Sequence, residues 1–102
     1  MATFCIDVDG TLCTITENQE YYKAIPYKHR IKKVNQLYEC GHIIKIFTAR
    51  GMASGKLFEE ITRQQLQDWG VKYHELVMGK PSADYYVDDK CLTPEQFAAM
   101  AV

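Results

Sequence analysis

The sequence predicts an α/β protein with a Rossmann-like three-layer sandwich, in which about four short, mainly parallel strands lie between helices. Short apolar segments rich in β-branched residues alternate with longer segments whose apolar residues recur at helical spacing. Such alternation is typical of parallel strands that are joined by right-handed crossovers. The chain has 102 residues, of which 47% are hydrophobic. We therefore expect one domain that spans residues 1–102.

The first half of the chain predicts two strands and a helix. Phe4–Ile6, continued by Val8, is a short apolar segment and predicts a buried strand. Residues 12–26 are polar and aromatic and predict a loop or small flap. Tyr27–Cys40 carries its apolar residues on one face and precedes a glycine, which predicts a helix. Ile43–Phe47 is β-branched and mostly apolar, as a central parallel strand should be.

The second half predicts a helix, two further strands and a final helix. Ser54–Trp69 has an apolar side and predicts a helix that ends at the following glycine. Tyr73–Met78 predicts a third strand and Tyr85–Val87 a short fourth one. The final helix is predicted to begin at Thr93, because a proline follows it and Gln96 completes a capping box.

The charge balance and the absence of long apolar runs exclude two classes of partner. Lys and Arg number 12 and Asp and Glu number 13, so the formal net charge is −1. A nucleic-acid module carries a basic excess, and we therefore expect no nucleic-acid partner. No apolar run approaches the roughly 20 residues of a membrane-spanning helix, so we expect no membrane partner. Without the basic start and apolar core of a secretory signal, the N-terminus predicts a cytoplasmic protein.

The four cysteines stand at positions 5, 13, 40 and 91. No two of them form a CxxC pair, and no spacing of His and Cys resembles a zinc site. We therefore expect free thiols in a reducing compartment. Cys5 lies in an apolar run and is predicted to be a small core residue.

Polar side chains follow each of the four predicted strands. In chain order they are Asp7 and Asp9, Thr48 and Arg50, Lys80, and Asp88 and Asp89. In open parallel sheets, ligands bind beyond the carboxyl ends of the strands. We therefore expect all these groups to meet at one edge of one sheet.

The chemistry of this set predicts a metal-assisted phosphoryl transfer. Gly10 allows a sharp turn directly after the first acidic pair. Asp88 and Asp89 are adjacent carboxylates, which repel each other unless a cation lies between them. Carboxylate oxygens without a clear His or Cys partner favour Mg²⁺ over zinc. Acids, one Lys, one Thr and Mg²⁺ together favour transfer of a phosphoryl group to a carboxylate, which makes an aspartyl-phosphate.

The order of these motifs resembles that of the haloacid dehalogenase (HAD) superfamily of phosphatases. The first motif, FCIDVDGTL over residues 4–12, is followed by a Thr after a strand, then by a Lys, and finally by DD. The resemblance spans Asp7 to Asp89. It implies a HAD-like fold and hydrolysis of phosphomonoesters, because Asp9 supplies the second acid that efficient phosphatases of this family carry.

The resemblance also implies a role for each residue of the site. Asp7 is implied to be the nucleophile, and Asp9 the general acid for the leaving alcohol and then the base for water. Thr48 is implied to hold a phosphoryl oxygen, and Lys80 to bridge the nucleophile and the phosphoryl group. The implied metal ligands are Asp7, the backbone carbonyl of Asp9, Asp88 and Asp89, with Asp89 either on the metal or just behind it. The implied substrate contacts are backbone N–H groups around Gly10, Thr11 and Ala49.

Arg50 lies two positions past Thr48 and is not a motif residue. It is predicted either to reach a second anionic group of the substrate or to form a surface salt bridge.

The spacing of the motifs leaves room for a flap but for no cap domain. The chain is therefore similar to short capless members of the family that occur in bacterial capsule and lipopolysaccharide pathways. This resemblance predicts a small phosphorylated sugar or related metabolite as substrate. An open site predicts either a large substrate or a neighbouring subunit of a homo-oligomer that covers it.

Two alternatives remain open. A signalling receiver domain also combines Asp, Thr, Lys and Mg²⁺ in a parallel sheet, but nothing acidic follows the second strand here, so the order of the motifs disfavours it. A regulatory, non-hydrolytic domain that binds phosphoryl groups is the other alternative.

Overall fold

The computed structural model describes residues 1–101 and has an α/β architecture. Its strands are β1 (Thr3–Asp7), β2 (Ile43–Phe47) and β3 (Glu75–Val77); its helices are α1 (Lys28–Glu39), α2 (Glu59–Asp68) and α3 (Pro94–Ala99). A 3-10 helix at Tyr21–Lys23 lies between β1 and α1. The strands are parallel and lie in the order β1-β2-β3. The predicted boundaries of the second strand are confirmed, and α1 matches the predicted helix to within one residue at each end.

The prediction of four strands is wrong for residues 1–101, which form a sheet of three. Tyr85–Val87, predicted as the fourth strand, lies in a run of irregular backbone whose residues 81–93 are all exposed. Val87 is 99% exposed and Tyr85 is 87% exposed. Strand propensity reflects burial on a paired surface, and these side chains bury almost nothing. A triplet of β-prone residues therefore does not suffice to form a strand.

The core lies between the sheet and the helices. Its residues are Ile6, Val8, Leu12, Cys13, Ile31, Val34, Leu37, Ile44, Ile46, Leu66, Val71 and Phe97. The prediction that Cys5 belongs to the core is wrong, because successive side chains of a strand point to opposite faces. Ile6 is buried and Cys5 is exposed. The buried thiol is instead that of Cys13, and all four cysteines are free.

Helix α2 begins at Glu59, five residues later than predicted. The chain before it turns at Gly51 and Gly55, whose φ angles are +84° and +74°, and the N–H of Gly55 donates to the carbonyl of Gly51 at 2.7 Å. Leu57, which lies within the predicted helix, is 93% exposed. Left-handed glycines interrupt a helix, so the loop extends to Phe58.

The predicted start of α3 is confirmed. Thr93 Oγ1 accepts a hydrogen bond from the N–H of Gln96 at 3.1 Å, and the N–H of Thr93 donates to Gln96 Oε1 at 2.9 Å. The helix places Phe97 in the core, where its ring meets that of Phe4 edge-on, 6.3 Å between centroids. None of the helices within residues 1–101 has the length and apolarity that spanning a membrane requires.

Candidate active site

The carboxyl ends of the strands place the predicted site residues at one edge of the sheet. Asp7, the last residue of β1, is in register with Phe47 of β2, which is in register with Val77 of β3. Beyond these ends the backbone continues to pair, since the N–H of Thr48 donates to the carbonyl of Val77 at 3.1 Å and the N–H of Lys80 donates to that of Thr48 at 3.2 Å. These two bonds bring the backbone of Lys80 to the end of β2, the strand next to β1.

Asp7 and Lys80 form an ion pair at this edge. Lys80 Nζ lies 3.0 Å from Asp7 Oδ2, and the Lys80 side chain is only 11% exposed. The ammonium also lies 4.8 Å from the ring centroid of Phe47 and 4.0 Å from that of Tyr86, where the negative face of each ring favours a cation. The other oxygen of Asp7, Oδ1, accepts the N–H of Val8 at 2.9 Å. The predicted contact between Asp7 and Lys80 is therefore present.

Burial dominates the ionisation of Asp7. Loss of solvent raises the pKa of its carboxyl above the ordinary value, and the nearby charge of Asp9 adds to this. The hydrogen bond and the charge of Lys80 oppose the shift, as does the N–H of Val8. Lys80 thus favours the carboxylate form, which is the form that a nucleophile needs.

The turn after β1 is held by its own backbone. The carbonyl of Val8 accepts from the N–H groups of Thr11 and Leu12 at 3.2 and 2.9 Å, and the N–H of Gly10 donates to the carbonyl of Cys13 at 2.8 Å. Gly10 has a φ of +85°, which permits this turn. The N–H groups of Gly10 and Thr11 are predicted to contact the phosphate. In this arrangement they donate their hydrogen bonds within the turn itself.

The side chain of Arg30, in α1, supports the same turn. Its Nη1 donates to the carbonyls of Gly10 and Thr11 at 3.2 and 3.3 Å, and its guanidinium lies 4.6 Å from the ring centroid of Tyr27. Arg30 is a site residue that the sequence patterns did not reveal, because nothing in a helical Arg distinguishes a support from a solvated side chain.

Arg50 pairs with Asp9, and the prediction of a surface salt bridge is wrong. Arg50 is 3% exposed. Its Nε and Nη2 donate to Asp9 Oδ2 and Oδ1 at 3.0 and 2.9 Å. Its Nη1 donates to Thr62 Oγ1 at 3.0 Å and to Gln65 Oε1 at 2.6 Å. The structure therefore directs the guanidinium to Asp9 and α2, and leaves its predicted contact with the substrate without support.

Thr62 and Gln65 belong to the site, and sequence reasoning missed them. Both are polar yet buried, at 0% and 8% exposure. They lie three positions apart and therefore on one face of α2. The sequence signal that could have identified them is the position of two polar residues beside the apolar face of a helix. Thr48 is also fully buried, and its Oγ1 accepts the N–H of Arg50 at 3.1 Å. Ala49, which lies between Thr48 and Arg50 in the sequence, is half-buried.

The predicted metal ligands do not come together in this structure. Asp88 and Asp89 are exposed, and Asp88 Oδ1 accepts the N–H of Lys90 at 2.9 Å. That N–H and a hydrogen bond with Asp89 lower the pKa of Asp88 below its ordinary value. Within residues 1–101, no three His, Cys, Asp or Glu side chains are close enough to hold a metal ion. As arranged here, the residues do not fit Mg²⁺, because the two carboxylate oxygens of Asp7 already accept from Lys80 and from the N–H of Val8, and Asp88 and Asp89 are not grouped with Asp7.

No family model matches the sequence, and no protein of curated function matches it. Three solved structures are similar in fold. A structural-genomics target from Vibrio cholerae has a TM-score of 0.90 and 27% identity, over 100% of this chain and 91% of that one. A Pnkp1/Rnl/Hen1 complex has a TM-score of 0.60 and 20% identity, over 96% of this chain and 33% of that one.

The third similar structure is a D,D-heptose 1,7-bisphosphate phosphatase from B. bronchiseptica, solved with magnesium and phosphate. Its TM-score is 0.57 and its identity 16%, over 91% of this chain and 55% of that one. At this identity the likeness concerns the fold alone. Residues 1–101 thus form a small α/β fold with a three-stranded parallel sheet, and this fold is similar to that of the heptose bisphosphate phosphatase.

Proposed function

We propose that this protein is a Mg²⁺-dependent phosphomonoester hydrolase of the HAD type that acts through an aspartyl-phosphate on Asp7. The observation that carries the proposal is the 3.0 Å contact between Asp7 and Lys80 at the carboxyl edge of the sheet. A half-buried carboxylate beside a cation is suited to receive a phosphoryl group, because the cation offsets the repulsion between two anions.

The proposed reaction has two steps. Asp7 Oδ attacks phosphorus, the bond from phosphorus to the leaving oxygen breaks, and that oxygen takes a proton from Asp9. Water then attacks phosphorus, the bond from phosphorus to Asp7 breaks, and Asp9 takes the proton of the water. One acid can serve both steps in turn, because the first step leaves it as the base that the second step needs. Lys80 stabilises the charge on the phosphoryl oxygens.

The magnesium requirement is part of the proposal, although the described residues show no assembled metal site. It is supported by the order of the acidic motifs and by the fold neighbour solved with magnesium and phosphate. When bound, Mg²⁺ would offset phosphate charge, and we assign no individual step to it. Asp88 and Asp89 remain the proposed acidic ligands from the second half of the chain.

A small phosphorylated sugar or a related metabolite is the proposed substrate. Two things support this class: the resemblance to short capless phosphatases of polysaccharide pathways, and a fold neighbour that is a heptose bisphosphate phosphatase. A cytoplasmic location and a homo-oligomer that covers the site belong to the same proposal.

A phosphatase screen tests the proposal. Purified protein is incubated with sugar phosphates, nucleotides and phosphoproteins, with Mg²⁺ and with EDTA, and released phosphate is measured. We expect turnover of a sugar phosphate in the presence of Mg²⁺ and no turnover in EDTA. Asp7→Asn should reduce it by more than about 10³-fold, because the amide is not a nucleophile. Asp68→Asn, an exposed aspartate on α2, is the matched control and should retain full activity. Turnover that survives Asp7→Asn would refute the mechanism.

A phosphoryl-binding domain without turnover is the second candidate. Its supporting observation is that both acids of the first motif already hold basic partners, Asp7 with Lys80 and Asp9 with Arg50. Calorimetric binding of inorganic phosphate, with no hydrolysis of any ester in the screen, would favour this candidate.

A further inference from the structure

The guanidinium of Arg50 contacts both carboxylate oxygens of Asp9. The Nε and Nη2 groups donate one bond to each carboxylate oxygen, at 3.0 and 2.9 Å. A planar fork of two parallel hydrogen bonds fixes the plane of a carboxylate as well as its position. The Asp9 side chain remains 22% exposed, whereas that of Arg50 is 0% exposed. The carboxylate is thus oriented from its buried side and reachable from solvent.

Arg50 is itself held in place on two further sides. Its Nη1 donates to Thr62 and Gln65 of α2, at 3.0 and 2.6 Å. The ring of Tyr21 covers the guanidinium, with its centroid 4.5 Å from Cζ. Gln65 Nε2 also donates to the carbonyl of Tyr21 at 2.6 Å, which ties the 3-10 helix to the same group. A guanidinium that donates four of its five N–H groups within the protein and is 0% exposed is not accessible to an incoming phosphate.

This arrangement is costly for an ordinary salt bridge. Burial strips a guanidinium of its hydration, and apolar residues of similar volume often stabilise a protein more than a buried ion pair does. Here a buried Arg and two buried polar residues of α2 all serve one partly exposed carboxylate. The burial of these polar groups is explained if the orientation of the Asp9 carboxylate matters for the reaction.

We infer that Arg50 is a positioning residue, which holds the carboxylate plane of Asp9 in the orientation for proton transfer. The inference rests on the proposed function. In the first step one oxygen of Asp9 carries the proton on the side that faces away from Arg50 and gives it to the leaving oxygen as the P–O bond breaks, while both oxygens keep their bonds from Arg50. In the second step the first oxygen takes the proton of the attacking water. Arg50 thus acts through Asp9 and does not touch the substrate.

The test compares Arg50→Lys on two substrates that differ in their need for a proton. The lysine keeps the charge but cannot form two parallel bonds. For glycerol 2-phosphate, whose alkoxide leaves poorly, we expect kcat/KM to fall about 100-fold, because misplacement of a catalytic group costs about that much. For p-nitrophenyl phosphate, whose phenolate leaves without a proton, we expect a loss of less than about 3-fold. A role confined to folding would lower both values equally.

Two further variants complete the design. Arg63→Lys changes an exposed arginine of α2 that pairs with Glu59, and both substrates should be unaffected. Thr62→Val removes one acceptor of Arg50 Nη1 while keeping the size of the side chain. It should show the same selective loss in smaller degree, and it keeps the inference testable if Arg50→Lys does not fold, which the Tm of each variant reports. Equal losses on the two substrates in the folded variants would overturn the inference.

A readout independent of turnover separates this inference from the proposed function. In ¹⁵N spectra, the Nε–H of Arg50 should exchange slowly with water and shift on Asp9→Asn, whereas that of exposed Arg63 should do neither. A protein that hydrolyses no phosphate ester but shows this slow Nε–H would refute the function and retain the ion pair. An Arg50 Nε–H that exchanges as fast as that of Arg63 would overturn the inference by itself.

Discussion

At the scale of single residues, charge pairing organises the candidate site. Each acid of the first motif faces one base that lies far away in sequence: Lys80 is 73 positions from Asp7, and Arg50 is 41 positions from Asp9. The two pairs differ in kind. Lys80 makes one bond to its acid and has two aromatic rings beside its ammonium, which leaves N–H groups of the ammonium available for another acceptor. Arg50 makes two bonds and is enclosed, which suits a support.

Gly51, directly after Arg50, fixes the path of the chain away from the site. Its φ is +84°, and a Cβ built there would lie 1.8 Å from the backbone oxygen of Lys56. We expect Gly51→Ala to lower the free energy of unfolding by roughly 3 kcal/mol, about 1 from the left-handed backbone and the rest from the clash. Urea denaturation measures this loss.

Gly55 is the matched control for that substitution. Its φ is +74°, but nothing lies within 4 Å of the position of a Cβ. Gly55→Ala therefore isolates the backbone cost and should lower stability by about 1 kcal/mol. Equal losses at the two glycines would contradict the close approach at Gly51.

At the scale of secondary structure, the sequence predicted best where local chemistry and burial agree. The β-branched run Ile43–Phe47 lies in the middle of the sheet, and its predicted boundaries are confirmed. The capping box at Thr93 is also confirmed, because its bonds join residues only three apart. Tyr85–Val87 was predicted on propensity alone, and the side chains of Tyr85 and Val87 are almost fully exposed, so no surface covers them.

The site shows the same division between local and long-range information. The order of Asp7, Thr48 and Lys80 at strand ends could be predicted, since parallel strands bring their carboxyl ends to one edge. The partnership of Arg50 with Asp9 could not, because it depends on how deeply the guanidinium is buried. That burial results from the packing of α2, whose polar residues Thr62 and Gln65 accept from it.

Helix α3 offers a test of how much one cap contributes. Thr93→Ala removes the side-chain acceptor for the N–H of Gln96, and the free energy of unfolding should fall by about 1 kcal/mol. Thr93→Ser keeps a hydroxyl and should cost almost nothing, because serine is at least as good an N-cap as threonine. Because α3 is only six residues long, its amide exchange should accelerate in the alanine variant. Equal stability of the two variants would show that Phe97, and not the cap, fixes this helix.

At the scale of the whole molecule, one side of the candidate site is packed against neighbouring side chains and the other side is exposed to solvent. The segment between β1 and α1 folds against Arg50 through Tyr21, whose ring also meets that of Phe58 edge-on at 4.8 Å. The segment that carries Asp88 and Asp89 is exposed along its whole length, over residues 81–93. Three of the four motifs therefore meet in this structure, and the fourth lies apart.

This asymmetry predicts where a protease cuts first and what protects the chain. Exposed loops are the preferred sites of proteolysis, so chymotrypsin should cut first after Tyr85 or Tyr86, which mass spectrometry identifies. If Asp88 and Asp89 join Asp7 around Mg²⁺, then Mg²⁺ with inorganic phosphate should slow this cut about 10-fold or more, since binding lowers the population of the open form. Asp88→Asn should be cut at the same place without that protection. Equal rates with and without Mg²⁺, in a wild type that Mg²⁺ activates, would place the metal away from Asp88 and Asp89.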